Sequence, residues 1–147
     1  MSKTANIREM ERGEDFAEWF ADLLDRDAAG DEFRNPPPDE RYLVLSNEVG
    51  DWIGGLRYQV RGGVAHLLDI AVAPEERGQG HGHLLLGAFE DRAREAGAHV
   101  AEFWTASHGV EAWLVALGWK IVLHRDDYFD HGAWILMEKR LTGDRGA

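Results

Sequence analysis

The stretch VAPEERGQGHG, Val72 to Gly82, places three glycines at alternate positions just behind an apolar segment. Glycine is costly in regular structure, because it loses more conformational freedom on folding than any other residue. Three glycines so close together therefore indicate a backbone that a ligand approaches closely. The helical pattern that begins near Gly80 presents free backbone N–H groups at a positive helix end, which is a favourable site for phosphate. The stretch predicts a turn between a strand and a helix that binds an anionic group.

Hydrophobic periodicity around this turn predicts a mixed α/β fold. Apolar residues recur every three to four positions in the expected helices, as at Phe16, Trp19 and Phe20, and they alternate or run together in the expected strands. The predicted helices are 15–28, 80–96 and 107–118, and the predicted strands are 4–10, 41–46, 51–60, 64–72, 99–105, 120–129 and 133–141. The element order is therefore β-α-β-β-β-α-β-α-β-β, which predicts a sheet of mixed direction with helices on both faces.

The composition fits one domain over residues 1–147. The chain is 44% hydrophobic and has six Trp and six Phe, which argues against disorder. No apolar run approaches the ~20 residues of a membrane span, and the N-terminal segment lacks the apolar core of a signal peptide. We therefore expect a cytoplasmic protein with no membrane partner. Exposed aromatic residues such as Trp52 and Trp134 leave a homodimer open.

Charge and cysteine usage exclude several functions. The net charge of −11, from 27 acidic and 16 basic residues, repels nucleic acid and attracts a cationic ligand such as an amine. The chain has no cysteine, and hence no disulfide, thiolate metal site or cysteine nucleophile. His81 and His83 are two positions apart at a helix start and do not share a helical face, so we expect no metal.

Two other phosphate-binding turns fit the glycines less well. A P-loop requires Lys followed by Ser or Thr after the last glycine, and this sequence has neither. A dinucleotide-binding turn has the spacing G-x-G-x-x-G directly after a strand, whereas here the spacing is G-x-G-x-G, separated from the strand and preceded by a hairpin. Glu102 does follow about 20 residues later, where a ribose-binding acid is expected. A dinucleotide-dependent oxidoreductase is therefore the lesser alternative.

The pattern that Arg77, Gly80 and Gly82 fill is Arg-x-x-Gly-x-Gly, within the wider string V-x-P-x-x-R-G-x-G-x-G. This string closely resembles the GNAT family of acetyl-CoA-dependent N-acyltransferases. The resemblance covers nearly the whole chain and is strongest at 70–86 and at the LGW of 117–119. It implies that the fourth and fifth predicted strands, 64–72 and 99–105, splay apart and that acetyl-CoA, as co-substrate, inserts its acyl-pantetheine arm between them.

The resemblance also implies which residues bind acetyl-CoA. The acyl-pantetheine arm would contact the backbone of Ile70, Ala71 and Val72. The pyrophosphate would be wrapped by Gly78, Gln79, Gly80, His81, Gly82 and His83. Arg77 would either set the loop or contact phosphate, and Ser107, which stands in the place of the family's usual Asn, would still hydrogen-bond the cofactor.

An amine attacks a thioester only when it is neutral, so a general base has to remove the proton of an ammonium. Asp69 lies in the apolar strand HLLDIAV beside the expected acyl site, where partial desolvation would favour its neutral form. Glu102, across the expected splay, is the second candidate and His66 the third. A backbone N–H near Val72 would stabilise the oxyanion.

The acid that protonates the leaving thiolate is in doubt. Aligning the family's pattern on Gly118 puts Leu114 where the family usually has Tyr, and Leu114 belongs to the apolar stripe of its helix. Tyr128, between the last two predicted strands, and His108 are the candidate replacements. Transfer without a side-chain acid also stays open, because a thiolate is a tolerable leaving group near neutral pH. The missing Tyr also leaves open a module that senses acetyl-CoA without efficient catalysis.

The acceptor is expected to be an amine, either a small molecule or a peptide N-terminus. Two acidic segments, 28–40 and 124–132, suit an ammonium group. The aromatic side chains of Phe33, Tyr128 and Phe129 would add apolar or cation–π contact.

Overall fold

The computed structural model describes residues 5–11, 15–27 and 38–141 of the chain, which divides into two units, Met1–Asn35 and Pro36–Ala147. In the first unit, residues 5–11 form no strand, and one helix, α1, spans Phe16–Asp27. The strand predicted at 4–10 is therefore not found among the described residues. Its two large apolar side chains, Ile7 and Met10, are three positions apart and so do not line one face of a strand.

The second unit contains a six-stranded sheet with two helices. The elements are β1 Asp39–Ser46, β2 Trp52–Arg61, β3 Val64–Val72, α2 His81–Glu95, β4 Val100–Thr105, α3 His108–Ala116, β5 Lys120–Arg125 and β6 Trp134–Arg140. The strand order is β1-β2-β3-β4-β6-β5, with β3 and β4 parallel and every other neighbouring pair antiparallel. The predicted mixed α/β fold is confirmed.

One face of this sheet carries the core, and we call it the helical face. The ring of Phe89 in α2 is fully buried and meets the ring of Tyr58 edge to face, with 5.2 Å between centroids. Leu114 of α3 and Met137 of β6 are also fully buried in the same cluster. Replacing a ring such as that of Phe89 by a methyl group costs about 3–5 kcal/mol in a core of this kind. Both helices of this unit therefore lie against the same face, because their buried side chains share one core cluster. Within the described part of this unit, the expectation of helices on both faces is thus not met. None of the helices formed by the described residues is long and apolar enough to cross a bilayer.

The two central strands separate partway along their length. Pairing of β3 with β4 runs only from Val64–Val100 to Leu67–Phe103. Beyond that point β3 continues along β2, and β4 continues along β6. The register of β3 against β2 shifts at Leu68, and such a bulge bends and twists a strand away from its neighbour. The splay expected between these strands is confirmed.

Candidate active site

The glycine turn connects the end of β3 to the start of α2. It consists of a 3₁₀ turn at Pro74–Glu76 followed by two residues with left-handed backbone, Gly78 at φ +79° and Gly80 at φ +85°. A Cβ built on either glycine would meet nothing within 4 Å. The backbone conformation, rather than crowding within the chain, thus explains why these two positions are glycine.

Arg77 fastens this turn to the sheet. Its Nε donates a hydrogen bond of 2.9 Å to the carbonyl oxygen of Val72, the last residue of β3. The sequence left open whether Arg77 holds the loop in place or contacts phosphate, and this hydrogen bond corresponds to the first of these roles. This bond uses only the N–H group at Nε. The N–H groups at the two Nη atoms of Arg77 can still donate to an anion.

A cavity of about 490 Å³ lies against the turn. Ten residues at the turn and at the end of β3 were expected to bind acetyl-CoA, and all of them except Gln79 line this cavity. These nine are Ile70, Ala71, Val72, Arg77, Gly78, Gly80, His81, Gly82 and His83. The first intrahelical bond of α2 runs from the N–H of Leu84 to the carbonyl of Gly80, so the amides of the three residues before Leu84 lack partners within the helix. Among the described residues, the buried Nδ1 of His81 also has no hydrogen-bond partner. The three backbone N–H groups are donors that fit a pyrophosphate, and Nδ1 of His81 joins them in the tautomer that carries its proton there.

A second cavity of about 500 Å³ lies in the splay itself, and Ile70 borders both this cavity and the one at the turn. The N–H of Ala73 donates to Ile53 of β2 at 2.8 Å, and directions alternate along an antiparallel strand. Ala71 therefore directs its backbone groups to β2, while Ile70 and Val72 direct theirs into the splay. The expectation that all three residues offer backbone groups to the pantetheine arm is therefore wrong for Ala71, and Ile70 and Val72 remain as candidates.

Ser107 lines the splay cavity at the start of α3. Its Oγ accepts a hydrogen bond of 3.2 Å from the N–H of Val110 and so caps the helix. A hydroxyl that accepts can still donate its proton to a ligand. Leu114 is fully buried, as its place in the apolar stripe predicts.

Asp69 lies on the face of the sheet opposite the helical face. Its Oδ2 accepts hydrogen bonds of 2.9 and 2.7 Å from Nε and Nη2 of Arg57, and its side chain is 67% exposed. The hydrogen bond to Asp69 is the main reason why the pKa of Arg57 is raised. The expectation that Asp69 is desolvated is therefore wrong, because the cross-strand guanidinium holds it at the surface.

His66 and Glu102 meet where the splay begins. They are opposite each other in the β3–β4 register, with 3.3 Å between Nδ1 and Oε1, and their side chains are 27% and 30% exposed. Burial lowers the pKa of His66, and Arg61 lowers it further, while the Glu102 carboxylate raises it. The imidazole is therefore neutral at pH 7. Sequence reasoning ranked this pair below Asp69, because only the register of two separate strands reveals the contact.

The third cavity, of about 270 Å³, opens beside this pair on the same face. Trp104 of β4 and Trp134 of β6 line it together with Phe129, and we call it the aromatic pocket. Tyr128, the expected acid, is not among its lining residues; its ring packs on Trp104 at 4.8 Å, beneath the Arg125 guanidinium at 4.2 Å.

Other expected acceptor-binding features are only partly described. Phe33 and most of segment 28–40 lie outside the described residues. In the turn between β5 and β6, Asp127 is engaged by Nδ1 of His131 at 2.7 Å. A wider groove of about 860 Å³, bordered by Tyr42 and Trp52, runs along β1 and β2. In the described part of the chain, no three His, Asp or Glu side chains are grouped as metal ligands.

Comparison with known proteins identifies the family. The model of the acetyltransferase (GNAT) family matches residues 4–119, a range that runs through both units. The chain belongs to the GNAT acetyltransferase family. This membership decides against the oxidoreductase alternative, and acetyl-CoA is accordingly the acyl donor. A single domain over residues 1–147 stays a prediction.

Solved structures of acetyltransferases share this fold. An acetyltransferase from Bacillus cereus ATCC 14579 is 21% identical, with a TM-score of 0.68 over 90% of this chain and 97% of that one. An IAA acetyltransferase from the same organism is 23% identical, with a TM-score of 0.61 over 67% and 76%. The PaiA N-acetyltransferase of Thermoplasma acidophilum, in complex with coenzyme A, is 20% identical, with a TM-score of 0.59 over 69% and 61%. No curated protein sequence matches the chain.

Proposed function

We propose that this acetyltransferase transfers the acetyl group of acetyl-CoA directly to the primary amine of a small molecule. The observation that carries the proposal is the splay of β3 from β4, which has the glycine turn at one end and the His66–Glu102 pair at the other. Cytoplasmic location and a homodimer stay predictions.

The donor end binds through backbone groups. The amides of the glycine turn and of the first turn of α2 hold the pyrophosphate, and Arg77 keeps the turn in place. The N–H groups of Ile70 and Val72 hold the acyl-pantetheine arm. Of the two residues only Ile70 lines the splay cavity, so its N–H, rather than that of Val72, is the candidate that stabilises the oxyanion. Bound acetyl-CoA supplies the reactive thioester.

The acceptor end removes the proton of the ammonium group before the amine attacks. The Glu102 carboxylate beside Nδ1 favours the tautomer of His66 that carries its proton there, which leaves the lone pair of Nε2 to receive a proton from the ammonium. A nitrogen–carbon bond then forms, the carbon–sulfur bond breaks, and the thiolate leaves. Asp69 remains the competing base, and its exposure and its hydrogen bonds to Arg57 make it the weaker candidate.

The leaving group receives no proton from the position that the family usually fills with tyrosine. Leu114 has no acidic hydrogen and is fully buried. A thiolate is a tolerable leaving group near neutral pH, so transfer can proceed without a side-chain acid; Tyr128, packed on Trp104, is the remaining candidate acid.

Calorimetric titration with acetyl-CoA, run beside NAD and ATP, tests the proposal. We expect micromolar binding of acetyl-CoA alone, followed by thiol release that an amine stimulates. Binding without amine-stimulated release would instead favour the sensor alternative. No binding of acetyl-CoA would contradict the proposed function.

A further inference from the structure

The aromatic pocket continues the splay onto the face opposite the helices. It shares Leu68, Phe103, Trp104 and Trp134 with the splay cavity, so a ligand in the pocket reaches the gap between β3 and β4 directly. The donor turn is at the other end of that gap. An acceptor that meets the thioester head-on would therefore enter through this pocket.

The rings of the pocket are held by one another and by the backbone. Nε1 of Trp134 donates a hydrogen bond of 3.0 Å to the carbonyl of Phe129, and these two rings meet edge to face at 5.1 Å. Trp104 meets Phe129 edge to face at 6.5 Å and is backed by Tyr128. Three elements thus present a fixed apolar lining, which needs little ordering when a ligand binds.

The pocket has one carboxylate among its lining residues, that of Glu102, and Glu138 lies opposite that carboxylate in the β4–β6 register. Arg57 also lines it, but its guanidinium is engaged by Asp69 at 2.7 Å and lies 3.6 Å from Glu40. Burial lowers the pKa of His66, so its ring adds no positive charge at pH 7. Aromatic faces and one carboxylate together favour a cation with one charge.

We propose that the aromatic pocket binds a monocationic primary amine with a compact aromatic or branched apolar body, of the arylalkylamine type. The inference rests on the proposed function and specifies its acceptor. The ammonium lies at Glu102 and His66, and the apolar body lies among Trp104, Phe129 and Trp134. With a volume of about 270 Å³ and one lining carboxylate, the pocket fits a compact monoamine better than a large polycation such as an aminoglycoside.

The test compares 2-phenylethylamine, 1,4-diaminobutane and ethanolamine as acceptors, together with a tripeptide. We expect kcat/KM for 2-phenylethylamine to exceed that of the other three by about tenfold, because the pocket buries its ring. Phe129→Leu should lower kcat/KM for 2-phenylethylamine about fivefold and lower that for ethanolamine by a smaller factor, because ethanolamine has no ring to pack on Phe129. Phe129 is 48% exposed, so the variant should fold. Trp52→Leu, which removes an 80% exposed ring outside the pocket, is the matched control.

The outcomes separate this inference from the proposed function. A protein that binds acetyl-CoA and prefers the diamine or the tripeptide overturns the pocket assignment alone. A loss with Trp52→Leu and none with Phe129→Leu moves the acceptor to the groove along β1 and β2, and also overturns it. Tryptophan fluorescence, titrated with 2-phenylethylamine and with its neutral analogue 2-phenylethanol, tests the pocket without any transfer. Binding of the amine alone supports the inference, and equal binding of both contradicts the role of charge.

Discussion

The donor end and the acceptor end of the splay are built in different ways. The donor end uses backbone groups from one continuous stretch, the end of β3, the glycine turn and the start of α2. The acceptor end uses side chains that β3, β4, β6 and the turn before β6 bring together. A substitution at the donor end should therefore change affinity for acetyl-CoA, and one at the acceptor end should change turnover.

The largest expected effect is at the acceptor end. His66→Gln removes the lone pair that receives the proton, and we expect kcat/KM to fall by at least about 100-fold. The Kd for acetyl-CoA should stay the same, because His66 is not among the residues lining the cavity at the glycine turn. Steady-state kinetics and calorimetry on the same preparation give both values.

Asp69→Asn is the matched comparison for His66→Gln. Asp69 lies on the same strand and face but is exposed and bound to Arg57. We expect a change of only a few fold. If Asp69→Asn lowers turnover as strongly as His66→Gln and recovers at alkaline pH, then Asp69 is the base and the assignment to His66 is wrong.

The second effect is at the donor end. Gly80 has a φ of +85°, where a β-branched residue is strained by about 1–2 kcal/mol, so Gly80→Val should weaken acetyl-CoA binding by roughly 5- to 30-fold. Once saturated, the variant should turn over normally.

Gly87→Ala serves as the control within the same helix. Gly87 is not among the left-handed glycines, and a Cβ there meets nothing within 4 Å. Alanine should leave the Kd unchanged and raise the melting temperature, because it favours a helix by about 1 kcal/mol. Unchanged affinity in Gly80→Val would show that the turn does not bind the donor.

The same difference explains how much the sequence could predict. Gly78, Gly80 and Arg77 are neighbours in the chain, so their spacing alone predicted the turn, and the apolar periodicity predicted α2 and β3 to within a residue or two. His66 and Glu102 are far apart in sequence and meet only through parallel register. Asp69 is exposed and bound to Arg57 on the neighbouring strand β2, and a pattern within the β3 sequence cannot predict a contact between two strands. The strand predicted at 4–10 is not found among the described residues, and its two large apolar residues, Ile7 and Met10, lie three positions apart and so cannot share one face of a strand.

A third effect, smaller at pH 7, is a shift in pH dependence. Because burial lowers the pKa of His66 below its usual 6.5, kcat/KM should decline only below about pH 6.5 as the ring is protonated. The Glu102 carboxylate raises the pKa of His66, and Arg61 lowers it. Two further charged side chains lie on the same face of the sheet as His66, namely Arg57 and Glu138, which is opposite Glu102 in β6. Glu102→Gln should therefore move the decline to lower pH. If the decline disappears instead, Glu102 is itself the base.

The pH dependence of the free energy of unfolding should also reflect the lowered pKa of His66. Between the lowered pKa of His66 and 6.5, the unfolded chain binds more protons than the folded one, so the free energy of unfolding falls as the pH falls through this range. His66→Gln should remove that part of the dependence, as urea unfolding at pH 5 to 7 would measure. An identical pH dependence in both proteins would contradict the burial of His66.

The smallest effect is expected in the turn that carries Phe129. Asp127 has a φ of +51° and is bound to His131, and both side chains are largely exposed. Asn tolerates this backbone, so Asp127→Asn removes little more than an exposed contact with His131 and should raise KM for the amine only about twofold. Asp126→Asn changes the same charge one residue away and should do less. Loss of activity with both variants would mean that these carboxylates bind the ammonium directly, which places the acceptor in the acidic turn rather than in the aromatic pocket.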